Sequence, residues 1–239
     1  MTEALDIARR RFTAKVYDPA KSVTDAEWKD LLEILRLAPT SVNYQPVQYF
    51  VAETEEERAA VAAGVSDFNQ ERVTKASRAI VCAVPFRPSE EHLQAVYKQE
   101  IADGRYAGHE GEENMDAGRR YFVGLHAVTS GEFFEWASKQ AYLGMGYLMF
   151  AAAQMGLDTT IMEGIQFQKM DENLGLAEKG LASVLVPRRK GRPQRHEAEE
   201  PSPDGRRDSP HREVIRAGTQ TIWFYAHCAS KIEGSAGNQ

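Results

Sequence analysis

Four short segments of the 239-residue chain carry polar side chains that a plain hydrophobic core does not need. In the first, Arg11, Thr13 and Lys15 place two cations and a hydroxyl within five residues. Guanidinium, ammonium and hydroxyl groups suit a phosphate or a developing negative charge. Taken alone, this segment is better explained as a solvated helix end.

The second segment, residues 38–46, holds hydroxyl and amide side chains between prolines. Proline, serine and asparagine favour rigid turns, and the amides and hydroxyls can donate and accept hydrogen bonds. A ligand-binding loop and an ordinary helix-to-strand loop explain this segment about equally well.

The third and fourth segments are shorter. Asn69 and Arg72 are three residues apart, which places them on one face of a helix. Glu163 and Gly164 follow a short predicted strand, and glycine there lets the main chain come close to a flat ligand. Each of these patterns is weak by itself.

Familiar catalytic and metal-binding motifs do not explain the sequence. Gly144-Met145-Gly146 begins like a dinucleotide fingerprint but lies inside a predicted helix, so close helix packing is the better explanation. The acidic run that begins at His109 is expected to be a solvated loop, and no metal site is predicted. His92 and His126 have no serine or carboxylate motif beside them for a hydrolase triad. An enzyme with this sequence would therefore use a bound cofactor.

The elements that must position these segments indicate an α+β domain. Capping boxes begin helices at Thr24 and Thr54, and Ser89 begins another. A long helix is predicted over residues 132–155, and it is apolar on all sides from Ala141. Runs of β-branched and aromatic residues predict strands at residues 47–52, 79–84, 159–162 and 181–186. We therefore expect a small sheet that packs against a central hydrophobic helix.

Composition narrows the class of protein. A hydrophobic fraction of 42% is enough for a large core, and a net charge of −6 argues against binding nucleic acid through its phosphates. The two cysteines, Cys82 and Cys228, cannot form a disulfide scaffold. The apolar helix over residues 141–155 would be ~22 Å long, too short for a bilayer core of ~30 Å. With no export signal, we expect a cytoplasmic protein without membrane or nucleic-acid partners.

The end of the chain has a different composition. Residues 187–212 include one apolar side chain, Ala198, and five of the ten prolines. Residues 187–239 carry 10 Lys and Arg against 7 Asp and Glu. Such a segment cannot bury enough apolar surface to offset its conformational entropy. The sequence therefore predicts one domain at residues 1–186 and a disordered, basic, proline-rich tail at 187–239.

In their order and spacing, the polar segments resemble the oxygen-insensitive NAD(P)H nitroreductases, in the group of the enteric minor nitroreductase and dihydropteridine reductase. The resemblance covers about residues 3–186. It is carried by residues 11–15, 39–46, 68–72, 103–106, 135–136, 139–140, 156–158 and 163–164. Several matching segments in one order are far more specific than any one of them.

The resemblance implies the FMN-dependent nitroreductase fold, with a small mixed sheet, as a homodimer that binds two FMN molecules at its subunit interface. Arg11 and Thr13 would serve the flavin phosphate and ribityl chain, while Lys15 and Arg72 would face N1 and O2 of the ring. A cation there stabilises the anion that two-electron reduction produces. Members of the group usually carry lysine where this chain has Arg72.

The resemblance also assigns the rest of the site. The main-chain N–H of Glu163 would point at flavin N5, Gly164 would keep the main chain close to the ring, and Asn69 would pair with its polar edge. Further FMN contacts would come from Phe12 and Ala14 and, across the interface, from Pro39, Thr40, Ser41, Asn43 and Gln45. The substrate pocket would be bordered by Lys15, Val42, Asn69, Arg72, Arg105 and Phe122.

The implied reaction is a two-electron ping-pong hydride transfer. NAD(P)H reduces FMN and leaves, and a nitroaromatic compound or a quinone then enters the same pocket and is reduced. Two other functions stay open: a dihydropteridine or flavin reductase of the same group, and a flavin-binding or inactive relic without enzyme activity.

The tail departs from the group's pattern. Relatives continue with Pro-Val-Gly and, further on, Lys-Ser-Arg-Leu-Pro, whose two cations hold the flavin phosphate. Back-translation of residues 187–203, read one nucleotide later, permits Pro-Val-Gly at 187–189 and Lys-Pro-Lys-Ser-Arg-Leu-Pro at 197–203. A single-base deletion or sequencing error near Val186 is one explanation, and a real, divergent tail is the other.

Overall fold

A computed structural model describes residues 2–15, 22–107 and 112–190 of the chain. Their helices and strands are, in order, α1 (Glu3–Arg10), α2 (Asp25–Arg36), a short 3-10 helix (Ser41–Asn43), β1 (Gln48–Ala52), α3 (Glu55–Ala63), α4 (Asp67–Thr74), β2 (Ala79–Pro85), α5 (Glu90–Ala102), α6 (Glu112–Leu125), α7 (Ser130–Gln154), β3 (Asp158–Met162), α8 (Phe167–Leu174), a second 3-10 helix (Ala177–Lys179) and β4 (Leu181–Lys190). The predicted α+β class is confirmed.

Three helices begin where local sequence signals predict. Thr24 and Thr54 each form a complete capping box at the start of α2 and α3, and the Ser89 hydroxyl caps α5. A third capping box, at Thr129, starts α7 ahead of the predicted residue 132. Helix α6 was not predicted, because charged residues fill its first turns and interrupt the apolar repeat.

The four strands form one sheet in the order β1-β2-β4-β3. Every neighbouring pair in the described sheet is antiparallel, which corrects the mixed sheet that the sequence analysis predicted. Strand direction was not predictable here, because the helical connections between the strands are long enough to return the chain in either direction.

Strand β4 continues past the predicted domain boundary. It pairs with β3 as far as Lys190, opposite Asp158, so residues 187–190 are strand rather than disordered tail. The rest of the tail, including Cys228 and the proposed phosphate motif at 197–203, lies outside the described residues, and so does the start of the acidic run at His109, whose last two residues begin α6. No helix of the described ranges is long and apolar enough to cross a membrane.

Helix α7 runs through the centre of the molecule. Its buried face includes Phe133, Ala141 and Met145, which pack into the main core. A Cβ at Gly144 would lie 2.8 Å from the Tyr49 hydroxyl oxygen of β1 and 3.4 Å from Leu35 of α2, so this glycine lets α7 pack tightly on the sheet as well as on a helix, whereas a Cβ at Gly146 would meet nothing within 4 Å. Opposite this face α7 carries exposed apolar side chains, here called the α7 stripe: Tyr142, Leu143, Tyr147 and Phe150.

Candidate functional site

The first predicted segment follows α1 and lies against β3. The carbonyl of the fully buried Ala14 accepts a hydrogen bond of 2.8 Å from Thr160 Oγ1 in β3. On either side of it, Thr13 and Lys15 are exposed. Arg11 and Phe12 are half-buried, and burial lowers the pKa of Arg11. The segment therefore presents cations and a hydroxyl beside the strand that ends just before Glu163.

Asn69 and Arg72 meet Gly164 at the end of the same strand. Asn69 is only 3% exposed, and its Oδ1 accepts a hydrogen bond of 3.0 Å from Arg72 Nη1. A Cβ built on Gly164 would lie 2.7 Å from Asn69 Nδ2, closer than real Cβ contacts allow. The Ser66 N–H donates to the Gly164 carbonyl at 2.9 Å, which ties the start of α4 to this turn. The structure thus brings Gly164 to the Asn69–Arg72 pair, more than 90 positions away in the sequence.

Glu163 forms the turn between β3 and this contact. Its carbonyl accepts a hydrogen bond of 2.8 Å from the Ile165 N–H. Its side chain accepts a hydrogen bond of 2.6 Å from the Tyr142 hydroxyl of α7. Burial, together with that carboxylate, raises the pKa of Tyr142 to about 12, so the tyrosine stays protonated and keeps donating. Both the main chain and the side chain of Glu163 are therefore fixed.

The loop at residues 39–46 has an unusual backbone. Val42, Asn43 and Gln45 have φ angles of 46°, 52° and 53°, in the left-handed region. Asparagine tolerates this region, but a β-branched valine seldom adopts it, and such conformations persist only where surrounding contacts enforce them. Backbone strain of this kind concentrates at ligand-binding sites.

One hydrogen bond to α7 and several within the loop fix its conformation. The Ser41 N–H donates to Gln140 Oε1 of α7 at 2.8 Å. Within the loop, the Gln45 N–H donates to Thr40 Oγ1 at 3.1 Å, and Gln45 Nε2 donates to Asn43 Oδ1 at 2.9 Å. Pro39 is exposed at its start. The polar side chains of this segment are thus organised by one another.

Sequence analysis missed two charged residues beneath this loop, Glu100 of α5 and Arg119 of α6. They are 2% and 4% exposed, and they form an ion pair. Charged side chains are almost never buried this far unless they are paired. The sequence offered one clue, since the matched segment 103–106 includes Tyr106, whose hydroxyl donates to Glu100.

Of the predicted pocket residues, Arg105 and Val42 contact the same pair, and Phe122 follows on α6. Arg105 is half-buried, with its Nε 3.5 Å from Glu100 Oε1. Arg119 donates to the main-chain oxygen of Val42 at 3.0 Å. Phe122, one turn further along α6, is about half exposed. The loop and the carboxyl-terminal half of α6 therefore lie side by side.

The site residues fall into two groups within one chain. The β3 group consists of residues 11–15, Asn69, Arg72, Glu163 and Gly164, and the loop group consists of residues 39–46, Arg105 and Phe122. Gln140 of α7 binds the loop group and Tyr142 of α7 binds the β3 group. Gln140 and Tyr142 are two positions apart, which corresponds to a rotation of about 200° around the helix axis, so the two groups lie on different sides of α7. The α7 stripe lies between them.

Comparison with known proteins adds an independent observation. Residues 8–187 match the nitroreductase family. An oxygen-insensitive NAD(P)H nitroreductase of Salmonella typhimurium is 36% identical over 187 residues, which cover 77% of this chain and 86% of that protein. A protein of the same name from Enterobacter cloacae is 34% identical with the same coverage. The major NAD(P)H-flavin oxidoreductase of Aliivibrio fischeri is 31% identical, over 68% of this chain and 75% of its own length.

Solved structures show the same fold. A protein of Exiguobacterium sibiricum in complex with FMN has a TM-score of 0.66 at 22% identity, over 83% of this chain and 94% of its own. The enone reductase CLA-ER has a TM-score of 0.65 at 22% identity, over 83% of this chain and 96% of its own.

Proposed function

The chain belongs to the nitroreductase family, and on this premise we propose that it is an FMN-dependent NAD(P)H oxidoreductase that reduces nitroaromatic compounds and quinones. One observation carries the proposal: the Asn69–Arg72 pair and the turn at Gly164 meet at the end of β3. The cationic segment 11–15 is tied to that strand through Thr160.

The β3 group fits a flat, anionic cofactor such as FMN. Any side chain at position 164 would displace the amide of Asn69, so glycine lets this turn and the Asn69–Arg72 pair lie in direct contact, and we propose that the ring binds against them. Arg11 and Thr13 offer a cation and a hydroxyl to the phosphate, and Phe12 and Ala14 line the same segment. We assign Lys15, Asn69 and Arg72 to the polar edge of the ring.

When bound, FMN accepts hydride from NAD(P)H and passes two electrons to the oxidant. The protein's part is to orient and to stabilise charge. Arg72 is already oriented by Asn69, so it can stabilise negative charge without reorganising during the reaction. The turn at Glu163, fixed through Tyr142, offers its main-chain N–H as a donor to flavin N5.

We infer that the active form is a homodimer. The β3 group and the loop group lie on different sides of α7, so one chain does not present both to the same ligand. A second copy packed on the α7 stripe would bring its loop group, including Pro39, Thr40, Ser41, Asn43 and Gln45, to the first chain's β3 group. The exposed apolar side chains of the stripe are the kind of surface that such a contact buries.

We place the shared nicotinamide and oxidant pocket between the two groups, bordered by Val42, Arg105 and Phe122 from the loop side. Cytoplasmic NAD(P)H would serve as the donor. A flavin reductase is the second candidate, because the Aliivibrio fischeri relative is named an NAD(P)H-flavin oxidoreductase.

The test is a spectroscopic titration of the purified protein. We expect yellow protein that bleaches on anaerobic addition of NADH or NADPH and regains its colour with a nitroaromatic compound or a quinone. Initial rates at several donor concentrations should give the parallel double-reciprocal lines of a ping-pong reaction. Rapid reoxidation by free flavin but not by nitroaromatics or quinones would select the second candidate. Protein that stays colourless with added FMN would refute both and leave the non-enzymatic relic.

A further inference from the structure

The strained backbone of the loop at residues 39–46 requires stabilising contacts from other elements. Val42 and Asn43 adopt left-handed φ angles of 46° and 52° in adjacent positions. Asparagine tolerates the left-handed region, but for the β-branched Val42 it is sterically unfavourable. Contacts from outside the loop must therefore select it.

Two buried charged side chains make those contacts. Glu100 Oε1 accepts a hydrogen bond of 2.6 Å from Asn43 Nδ2. Arg119 Nε donates to the main-chain oxygen of Val42 at 3.0 Å. The two charges also bond each other through Glu100 Oε2 and Arg119 Nη2. Two of the three strained residues, Val42 and Asn43, are thus each held by one member of the ion pair, and the third, Gln45, bonds to Asn43.

The pair is held rigidly from the side away from the loop. Asp116 Oδ1 accepts from Arg119 Nη1 at 3.1 Å, and the Tyr106 hydroxyl donates to Glu100 Oε2. Burial lowers the pKa of Arg119, but the hydrogen bond and the charge of Glu100, together with Tyr106, raise it above its usual value, so the guanidinium stays charged. Because its other donors and acceptors are occupied, the pair has little freedom to follow the loop if the loop relaxes.

We propose that Glu100 and Arg119 are positioning residues that hold the loop at 39–46 in its FMN-binding conformation without touching the flavin themselves. This inference rests on the proposed function, in which the loop reaches the flavin of the partner subunit. Without the pair, the loop spends most of its time in relaxed conformations, and FMN affinity falls in proportion to the remaining competent fraction.

The experiment compares Arg119→Met and Glu100→Gln with Arg78→Met and Glu53→Gln. The last two break another largely buried ion pair, Arg78 to Glu53 at 2.8 Å, which lies at the far end of β1 from the loop. The full chain is stripped of FMN, and the dissociation constant for added FMN is measured by fluorescence quenching. Thermal midpoints and hydrogen exchange of the loop peptide are recorded on the FMN-free protein.

A competent fraction of a tenth corresponds to about a tenfold weaker affinity for FMN. We expect at least this for both loop-side variants, together with faster exchange of the loop amides. Both control variants should lower the thermal midpoint while FMN affinity stays within about twofold, as expected for independent sites. Glu100→Gln keeps the side chain's shape but removes the charge that pairs with Arg119 and accepts from Asn43, so it decides the matter should Arg119→Met fail to fold.

Two results would overturn the inference and are distinct from failure of the proposed function. Loop-side variants that bind FMN as tightly as the controls would show that the pair serves stability only. Unchanged loop exchange in those variants would show that the pair does not hold the loop. If the unaltered protein binds no FMN at all, the proposed function fails, and this inference fails with it.

Discussion

The side-chain amide of Asn69 lies between Arg72 and Gly164, so that its oxygen and its nitrogen each face one of these two residues. Its oxygen accepts from the Arg72 guanidinium, which leaves the nitrogen facing the main chain of Gly164. One buried amide therefore orients a cation and sets how closely the turn can approach. At the scale of single residues, the site depends on this contact.

Gly164→Ala should weaken FMN binding. The added methyl would lie 2.7 Å from Asn69 Nδ2, and relief requires the amide or the turn to move. Overpacking of this kind costs about 1–3 kcal/mol, which corresponds to a rise of roughly 5- to 150-fold in the FMN dissociation constant when the cost falls on the FMN-binding arrangement. Gly131→Ala, in the first turn of α7 with open space around it, is the matched control and should bind FMN normally. Equal affinity of the two variants would contradict the assigned approach of the main chain to the ring.

Arg72→Met should lower the flavin's midpoint potential, because the reduced anion loses a charge-assisted hydrogen bond. Such a bond is worth about 1.5–3 kcal/mol, or roughly 30–60 mV for a two-electron couple. Arg72→Lys should restore most of the potential. Lys75→Met removes an exposed cation just after the same helix and should leave the potential unchanged. An anaerobic titration against a reference dye measures all four proteins, and an unchanged potential in Arg72→Met would exclude Arg72 from the ring's edge.

At the scale of elements, α5 is joined to the loop through His92 and Tyr44. The Tyr44 carbonyl can only accept, so His92 donates to it through Nε2, at 2.6 Å. The two rings also meet edge to face, with centroids 4.9 Å apart. Burial is the main reason that the pKa of His92 is lowered, and the charge of Arg119 lowers it further. The neutral imidazole is therefore the form that the fold prefers.

This preference makes stability depend on pH. Because the folded-state pKa of His92 lies below its unfolded value of about 6.5, the unfolded chain binds the proton more tightly. The His92 contribution is fully present above about pH 6.5 and is lost as the pH falls toward the folded-state pKa. We expect the free energy of unfolding to decrease between pH 7 and 5, and His92→Gln to reduce that slope. Parallel urea-denaturation profiles for the two proteins across this range would contradict the prediction.

Local signals and long-range contacts differed in how well they could be predicted at this scale. The capping boxes at Thr24 and Thr54 were identified because their partners lie three residues away in sequence. The equivalent box at Thr129 has the same spacing but was overlooked, and α6 was missed because its charged residues conceal its apolar face. The partners of Glu100 come from the loop and from α6, and no periodicity connects them.

At the scale of the whole molecule, α7 combines two roles. One face fills the core, while the opposite face leaves the α7 stripe exposed, with Gln140 and Tyr142 at its two edges. The hydrophobic pattern from Ala141 onward is that of an apolar helix, but only part of the apolar surface of this helix is buried within one chain. The proposed dimer accounts for the remainder.

Leu143→Asp should dissociate the dimer and release FMN together. Burying an unpaired carboxylate in an apolar contact costs on the order of 3 kcal/mol, which weakens association by at least about 100-fold. Val128→Asp alters an exposed apolar residue outside the stripe and should leave assembly intact. Light scattering coupled to size exclusion, with flavin absorbance recorded on the same peak, measures both properties. A monomeric unaltered protein that retains FMN would contradict the proposed assembly.

The amino-acid sequence of the tail should affect how much FMN the purified protein retains. Two cations that hold the phosphate would each contribute about 1.5–3 kcal/mol, together roughly a 100-fold change in affinity or more. The chain as it stands should therefore purify with less than one flavin per subunit, whereas a chain with the alternative reading frame after Val186 should retain close to one. Equal flavin-to-protein absorbance ratios would contradict the prediction, and coding DNA that cannot encode the motif would end the frameshift hypothesis.

The sequence by itself determined most of the local structure: the capped helices, the β-branched strands, the central apolar helix and the segments that became the candidate site. These features depend on residues a few positions apart, whose types and spacing can be read directly. Tertiary structure alone decided the antiparallel order of the strands, the left-handed backbone at Val42 and Asn43, and the burial of Glu100 against Arg119. These features arise from contacts between distant segments, and their energies depend on geometry that exists only once the chain has folded.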